Sequence, residues 1–268
     1  METIDYVHGY SLREAERLSD QANTLSELLH HDSIFPVGSN ILEAGCGIGA
    51  QTMILAKKNP GCQFTSVDIS AESIKQAEQM GINEGITNVK FQVADIYNLP
   101  FKENSFDHVF VCFILEHIRE PMKALKCLKK LIRPDGTITV IEGDHGSAYY
   151  YPKSKLAQKI IDCLVEAQAI MQGDSLIGRS LFPLLVEAGF KNCSVTPKVV
   201  YADNSLPHMV EGFTRNTFIA MVEGVKEQAI KLNLIDEATW NTGINDLYKT
   251  AGEEGTFNYT FFKAIALE

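Results

Sequence analysis

The sequence predicts an α/β protein built on a doubly wound, mostly parallel sheet with helices on both faces. Three observations predict it. From Ile41 onward, short apolar runs alternate with amphipathic stretches of helical period, the pattern of parallel strands joined by crossover helices. The run His108-Val109-Phe110-Val111-Cys112-Phe113 is nearly all apolar, as a central strand covered on both faces must be. A glycine-rich turn, Gly45-Cys46-Gly47-Ile48-Gly49, follows the first strand, where such a fold bends its chain around a ligand.

Ahead of the sheet, residues 11–30 read as a helix. Ser11 and Glu14 make an S-x-x-E capping box, and Ala15, Leu18, Ala22, Leu25 and Leu29 share one stripe. Ile41, Leu42 and Ala44 mark the first strand. Helices follow over 52–58, 71–84 and 121–132. The second turns Ile74, Ala77 and Met80 inward; the third opens on Pro121 and buries Ala124, Leu125, Leu128 and Leu131. Strands at 64–67, at a run ending over 93–96, and at 108–113 and 137–142 lie between them. After Gly143 the regular alternation stops. A long helix over 153–172, a turn through 173–179, a helix ending at Gly189 and a sixth strand over 191–200 lead to helical stretches at 206–232 and 236–250.

The closing run Phe257-Asn258-Tyr259-Thr260-Phe261-Phe262 alternates as a strand, expected to pair antiparallel at the sheet edge. The roughly fifty residues between the last two strands exceed a connecting loop. Residues 201–250 are therefore expected to form a helical cap. The cap is inserted in a core of 40–200 and 251–268, with 1–39 as an arm and helix over the ligand.

A chain of 268 residues suffices for one domain with an appended subdomain. Its 24 basic and 34 acidic side chains leave a net charge of −10, which repels phosphate backbones, so no nucleic-acid partner is expected. The six cysteines are widely spaced without a C-x-x-C pair. Neither a metal site nor a disulfide framework is indicated, in keeping with a reducing cytosol. Met1-Glu2-Thr3-Ile4-Asp5 lacks a basic region followed by an apolar core, and no window approaches the roughly 18 apolar residues of a membrane span. A cytoplasmic protein without a membrane segment is expected.

Glycines at alternate positions let the chain turn sharply and let a ligand approach the main chain. The helix after them points free N–H groups at that ligand. Gly45, Gly47 and Ala50 also satisfy the dinucleotide fingerprint G-x-G-x-x-G/A, so on the glycines alone a nicotinamide-dependent oxidoreductase stays open. Three acids narrow the choice. Glu43 lies two residues before Gly45, where it can receive an ammonium group. Asp68 closes the next strand, nineteen residues after Gly49, where a carboxylate reaches two ribose hydroxyls. Asp95 stands at the end of the third strand, suited to an adenine amino group.

The set E-x-G-x-G-x-G, D-I-S and A-D-I resembles the class I S-adenosylmethionine-dependent methyltransferases, which have a Rossmann-like sheet. The resemblance continues through Phe106-Asp107-His108-Val109 and Leu131-Ile132-Arg133-Pro134-Asp135-Gly136 and spans residues 41–190. It is similar in particular to the small-molecule branch related to the ubiquinone and menaquinone C-methylating enzymes. Asp135 stands where the family usually has glycine, and aspartate followed by glycine makes a competent turn. The resemblance implies S-adenosylmethionine as cofactor and a small molecule as methyl acceptor. It implies Glu43, Gly45, Gly47, Asp68, Ile69, Asp95, Ile96 and Cys112 around the cofactor, with Tyr10 or Gln21 of the N-terminal arm at its methionine carboxylate.

Ligands of open α/β sheets bind beyond the carboxyl ends of the strands, where strand order reverses, here between the first and fourth strands. Phe113-Ile114-Leu115-Glu116-His117 therefore borders the transferable methyl, followed by Glu142, Asp144 and His145. His117 is the first choice for a general base and His145 the second. Against this, His117 can simply order its turn, and Glu116 can meet a helix dipole. Arg179 faces either an acidic substrate or solvent. Met171, Met209, Phe213, Phe218, Met221 and Trp240 read as core at helical spacing, or as the wall of an apolar pocket. A protein that binds the cofactor without transferring a methyl carries the same signature.

Overall fold

The computed structural model describes residues 12–268, with side chains from Arg17 onward. Among the described residues seven strands form one sheet: β1 (Asn40–Ala44), β2 (Gln63–Asp68), β3 (Val89–Val93), β4 (Phe106–Cys112), β5 (Ile132–Tyr151), β6 (Lys191–Asp203) and β7 (Thr256–Leu267). Their order is β3-β2-β1-β4-β5-β7-β6. The first five pair in parallel, with Leu42 opposite Thr65 and Val109, and Val109 opposite Ile138. Strand order reverses between β1 and β4, as expected.

The helices are α1 (Leu12–His30), α2 (Ala50–Lys58), α3 (Ala71–Asn83), α4 (Pro121–Lys129), α5 (Lys155–Ile170), α6 (Leu181–Glu187), α7 (Pro207–Met209), α8 (Ala220–Gly224), α9 (Lys226–Lys231) and α10 (Glu237–Tyr248). Three of these starts, those of α3, α5 and α10, follow from capping chemistry. Ser70 accepts the Ser73 N–H at α3, Ser154 those of Leu156 and Ala157 at α5, and Asp236 that of Thr239 at α10.

Two expectations need correction. The fifth strand does not stop at 142 but runs on to Tyr151, because Tyr149, Tyr150 and Tyr151 continue the two-residue alternation and pair with β7. The closing strand is not at the edge either; it lies between β5 and β6. Its register shows the antiparallel sense, with the Glu268 N–H on the Gly136 carbonyl and the Asn258 side chain on the Tyr149 carbonyl. Phe257, Tyr259 and Phe261 are buried on β7, which an interior strand requires.

The chain divides into two compact units; four of their five boundaries fall inside α1, β5, β6 and β7, and the fifth lies between Leu176 and Ile177. One comprises residues 26–142, 177–197 and 262–268. It carries β1 to β4, and its core gathers Leu42, Val67, Val109, Val111, Leu125, Leu128 and Ile138. The other comprises residues up to 25, 143–176 and 198–261. Its interior is aromatic: Phe218 lies 4.7 Å from Phe257, Tyr259 lies 4.7 Å from Phe261, and Tyr150 stacks on Phe257. Phe213, Phe218, Met221 and Trp240 are core residues there.

The helical stretch expected over 206–232 is interrupted by a π-helix, Val210–Ile219. The Thr217 hydroxyl donates to the Gly212 carbonyl five residues back, and Thr24 fills the space a Cβ on Gly212 would need. No helix among the described residues is long and apolar enough to cross a membrane.

Candidate functional site

The carboxyl ends of β1, β2 and β4 meet at the glycine-rich turn. Gly45 and Gly47 have φ of 79° and 52°, in the left-handed region that side chains with a Cβ avoid. The reason differs between them. A Cβ on Gly45 would run into the Ile114 side chain from the turn after β4, whereas one on Gly47 would meet nothing within 4 Å. Gly45 is thus a packing requirement between two strand ends, and Gly47 borders open space.

Asp68 is locked to this turn. One carboxylate oxygen accepts the Gly47 N–H at 2.8 Å, and the other accepts the Ser70 N–H at 2.8 Å. Burial raises its pKa, and the N–H groups of Ser70, Gly47 and Ile69 pull the other way. Beside it Ile69 is 49% exposed, an apolar side chain in water at the end of a sheet strand.

Glu43 is buried. Its Oε2 accepts the Thr52 hydroxyl at 2.6 Å and the Ser66 hydroxyl at 2.7 Å, so it ties α2 and β2 to β1. Burial raises its pKa, as does the charge of Asp68. The sequence marked Glu43 but not Thr52 and Ser66, whose role depends on strand register. The third strand ends at Val93, leaving Asp95 exposed in the turn beyond it. There its carboxylate accepts the Tyr97 N–H. Ile96 packs against the core. Cys112 is buried at the end of β4, and burial pushes its thiol well up.

The turn after β4 is a 3₁₀ helix, Leu115–His117. His117 is partly buried, with Nε2 3.4 Å from Glu116 Oε1, and Glu116 itself is buried. His145 lies three residues past Glu142 on β5, in the other compact unit. It is buried, bonded through Nδ1 to the Tyr259 hydroxyl at 2.7 Å, and burial, with the charge of Arg17, lowers its pKa to about 3. Arg179 is exposed. Tyr10 lies outside the described residues; Gln21 is buried and accepts from Arg17. Glu43, Gly45, Gly47, Asp68, Ile69, Asp95, Ile96, Cys112 and His117 all fall in the unit that carries β1 to β4. Among the described residues no cluster of histidines, cysteines and acids could hold a metal.

A glycine turn bonded to an acid that ends the second strand, in a sheet with an antiparallel strand inserted beside β5, is the arrangement of the class I methyltransferase fold. Comparison with known proteins agrees. The methyltransferase domain model matches residues 37–183, and the chain belongs to that family. It is 31% identical over 160 residues to (S)-coclaurine N-methyltransferase from Papaver somniferum, covering 56% of this chain and 45% of that protein. Over 111 residues it is 33% identical to a ubiquinone/menaquinone biosynthesis C-methyltransferase from Rickettsia bellii, covering 40% and 45%. The chain spans about half the length of the curated relatives it matches. Among solved structures, the YcgJ protein of Bacillus subtilis shares the fold, with a TM-score of 0.56 at 14% identity over 95% of this chain and 98% of that one.

Proposed function

We propose that this chain transfers a methyl group from S-adenosylmethionine to a small-molecule acceptor by in-line displacement. The observation that carries the reading is the bond between Asp68 and the Gly47 N–H: an acid suited to ribose hydroxyls is oriented by the turn that leaves room for the nucleoside. The residues fit the cofactor. Gly47 opens onto unfilled space. Asp68 retains lone pairs beyond its two backbone bonds. Ile69 offers an apolar side chain and Asp95 an exposed carboxylate. When bound, the cofactor supplies a methyl on a sulfonium, electrophilic without further activation.

The chain's own contribution is positioning and exclusion of water. Asp68 and the glycine turn orient the nucleoside, and the strand end at Cys112 leads into the turn that carries Glu116 and His117. His117 takes a proton from the acceptor where the acceptor must lose one. The names of the relatives include both nitrogen and carbon methylation, and the acceptor atom here is to be found by supplying labelled cofactor to a small-molecule cell extract.

Thermal-shift titration decides the cofactor: S-adenosylhomocysteine is expected to stabilise the protein, and NAD and NADP are not. Stabilisation by NAD alone would discard the reading. In Asp68→Ala, S-adenosylhomocysteine affinity measured by calorimetry is expected to fall by about 1.5–3 kcal/mol, the worth of hydrogen bonds to a charged group. Unchanged affinity removes Asp68 from the site. His117→Gln is expected to keep cofactor affinity and lose turnover by roughly 10²- to 10⁴-fold. Turnover equal to the wild type's would make this histidine part of the scaffold.

A further inference from the structure

The turn after β4 has an unusual backbone. Phe113, neither glycine nor asparagine, has φ of 57°, a left-handed conformation that is unfavourable for a residue with a Cβ. Ile114 follows in the right-handed region, with φ −119° and ψ −43°. A left-handed residue followed by a right-handed one turns successive N–H groups to the same side, a concave site for an anion. Its occupant is a side chain of the next strand. Glu142 Oε1 accepts the Ile114 N–H at 3.0 Å and the Leu115 N–H at 2.7 Å.

Glu142 is an expensive residue to keep there. It is fully buried in β5, directly after Val140 and Ile141. Its Oε2 is buried with no hydrogen-bond partner among the described residues, a condition that leaves its desolvation uncompensated. Burial and the neighbouring Glu116 raise its pKa well above the usual carboxylate range, while the N–H groups of Leu115, Ile114 and Glu116 oppose them. An apolar residue would satisfy the strand at lower cost. What only an acceptor at position 142 can do is hold Phe113 in its left-handed state and set the turn behind it. That turn carries Glu116 and His117, and its Ile114 side chain fills the space that Gly45 leaves open.

We propose that Glu142 is a positioning residue for methyl transfer: seated in the N–H groups of Ile114 and Leu115, its carboxyl sets the place of the Glu116–His117 turn at the carboxyl end of β4. The proposal rests on the methyltransferase reading above. It acts through the turn and assigns Glu142 no contact with the acceptor.

Three variants test it. Glu142→Gln keeps an oxygen that can accept both N–H groups, Glu142→Ala removes it, and Glu142→Leu keeps the buried volume should the alanine variant fail to fold. With labelled S-adenosylmethionine and the active extract fraction, the alanine and leucine variants are expected to lose about 100-fold in kcat, the scale of a misplacement near 1 Å. Their KM for the cofactor and affinity for S-adenosylhomocysteine should stay at the wild-type values, and the glutamine variant should recover most of the lost kcat. Amide hydrogen exchange at Ile114 and Leu115 should quicken in the alanine and leucine variants and remain slow in the glutamine one. Wild-type kcat or wild-type exchange in the folded leucine variant overturns the proposal. Failure of the wild-type protein to bind S-adenosylhomocysteine overturns the cofactor reading instead, and the exchange comparison still decides what Glu142 holds.

Discussion

Gly45→Ala is expected to lower the unfolding free energy by about 2–5 kcal/mol, combining the left-handed backbone penalty with overpacking of a filled site. The φ of 79° is already unfavourable for alanine, and the new Cβ would fall on the Ile114 side chain. Ile114 cannot move freely to relieve it. Its side chain packs on the core and its N–H is bonded to Glu142. Gly47→Ala provides the contrast. Its φ of 52° carries only the backbone penalty, because its Cβ meets no atom within 4 Å. Urea unfolding and calorimetry with S-adenosylhomocysteine should therefore separate the two glycines. Gly45→Ala loses stability first, and Gly47→Ala loses ligand affinity with about 1–2 kcal/mol of stability. Equal stability losses in both would show that Ile114 yields, and that packing against it is not what position 45 requires.

Two buried histidines are expected to withdraw their contribution to stability as pH falls below 6.5. Burial lowers the pKa of His30 to about 4 and that of His145 to about 3. His30 is completely buried, with Nε2 2.7 Å from Gln51. Both rings are neutral in the folded protein at neutral pH, and the unfolded chain protonates them near 6.5. Between 6.5 and the folded values the unfolded state binds more protons, so stability is intact above 6.5 and is lost as pH falls. Each histidine removes roughly 1.4 kcal/mol per pH unit, on the order of 3 kcal/mol by pH 4.

Glu43, Asp68 and Glu142 act in the opposite sense, because their raised pKa values make the folded state the better proton binder as pH falls. Total stability therefore mixes the two signs, and comparison of variants reads the histidines alone. Urea unfolding of His30→Gln and His145→Gln from pH 7 to 4 should each show a slope shallower by about 1.4 kcal/mol per pH unit. Slopes equal to the wild type's in both variants would mean that the folded protein protonates these rings as readily as the unfolded chain does.

Much of the site could be read in the amino-acid order because its parts are local. The turn from Gly45 to Gly49 needs glycine at left-handed positions within five residues, and Asp68 follows at the end of the next apolar run. Asp95 was legible as an acid at a strand end, but the Asx-type bond to Tyr97 that directs its carboxylate came from the turn itself. The extension of β5 was hidden by Gly143 and Gly146, which look like breakers. They are compatible with a strand because β7 pairs alongside, and the Tyr259 side chain occupies the space beside Gly143. The π-helix had no local signal, since helical periodicity alone does not distinguish hydrogen bonds to the fourth residue from those to the fifth.

By itself the sequence determined the alternation of strands and helices, the reversal of strand order at the glycine turn, and the acids near the ends of the first strands. Hydrophobic period and glycine content act over a few neighbours, and the chain states them directly. The tertiary structure alone decided that β7 enters between β5 and β6, that Phe113 adopts a left-handed backbone, and that Glu142 holds the turn behind it. Each of these joins positions far apart in the chain: Glu142 lies 28 residues beyond Ile114, and a bond of that kind exists only once both strands are packed in the same sheet.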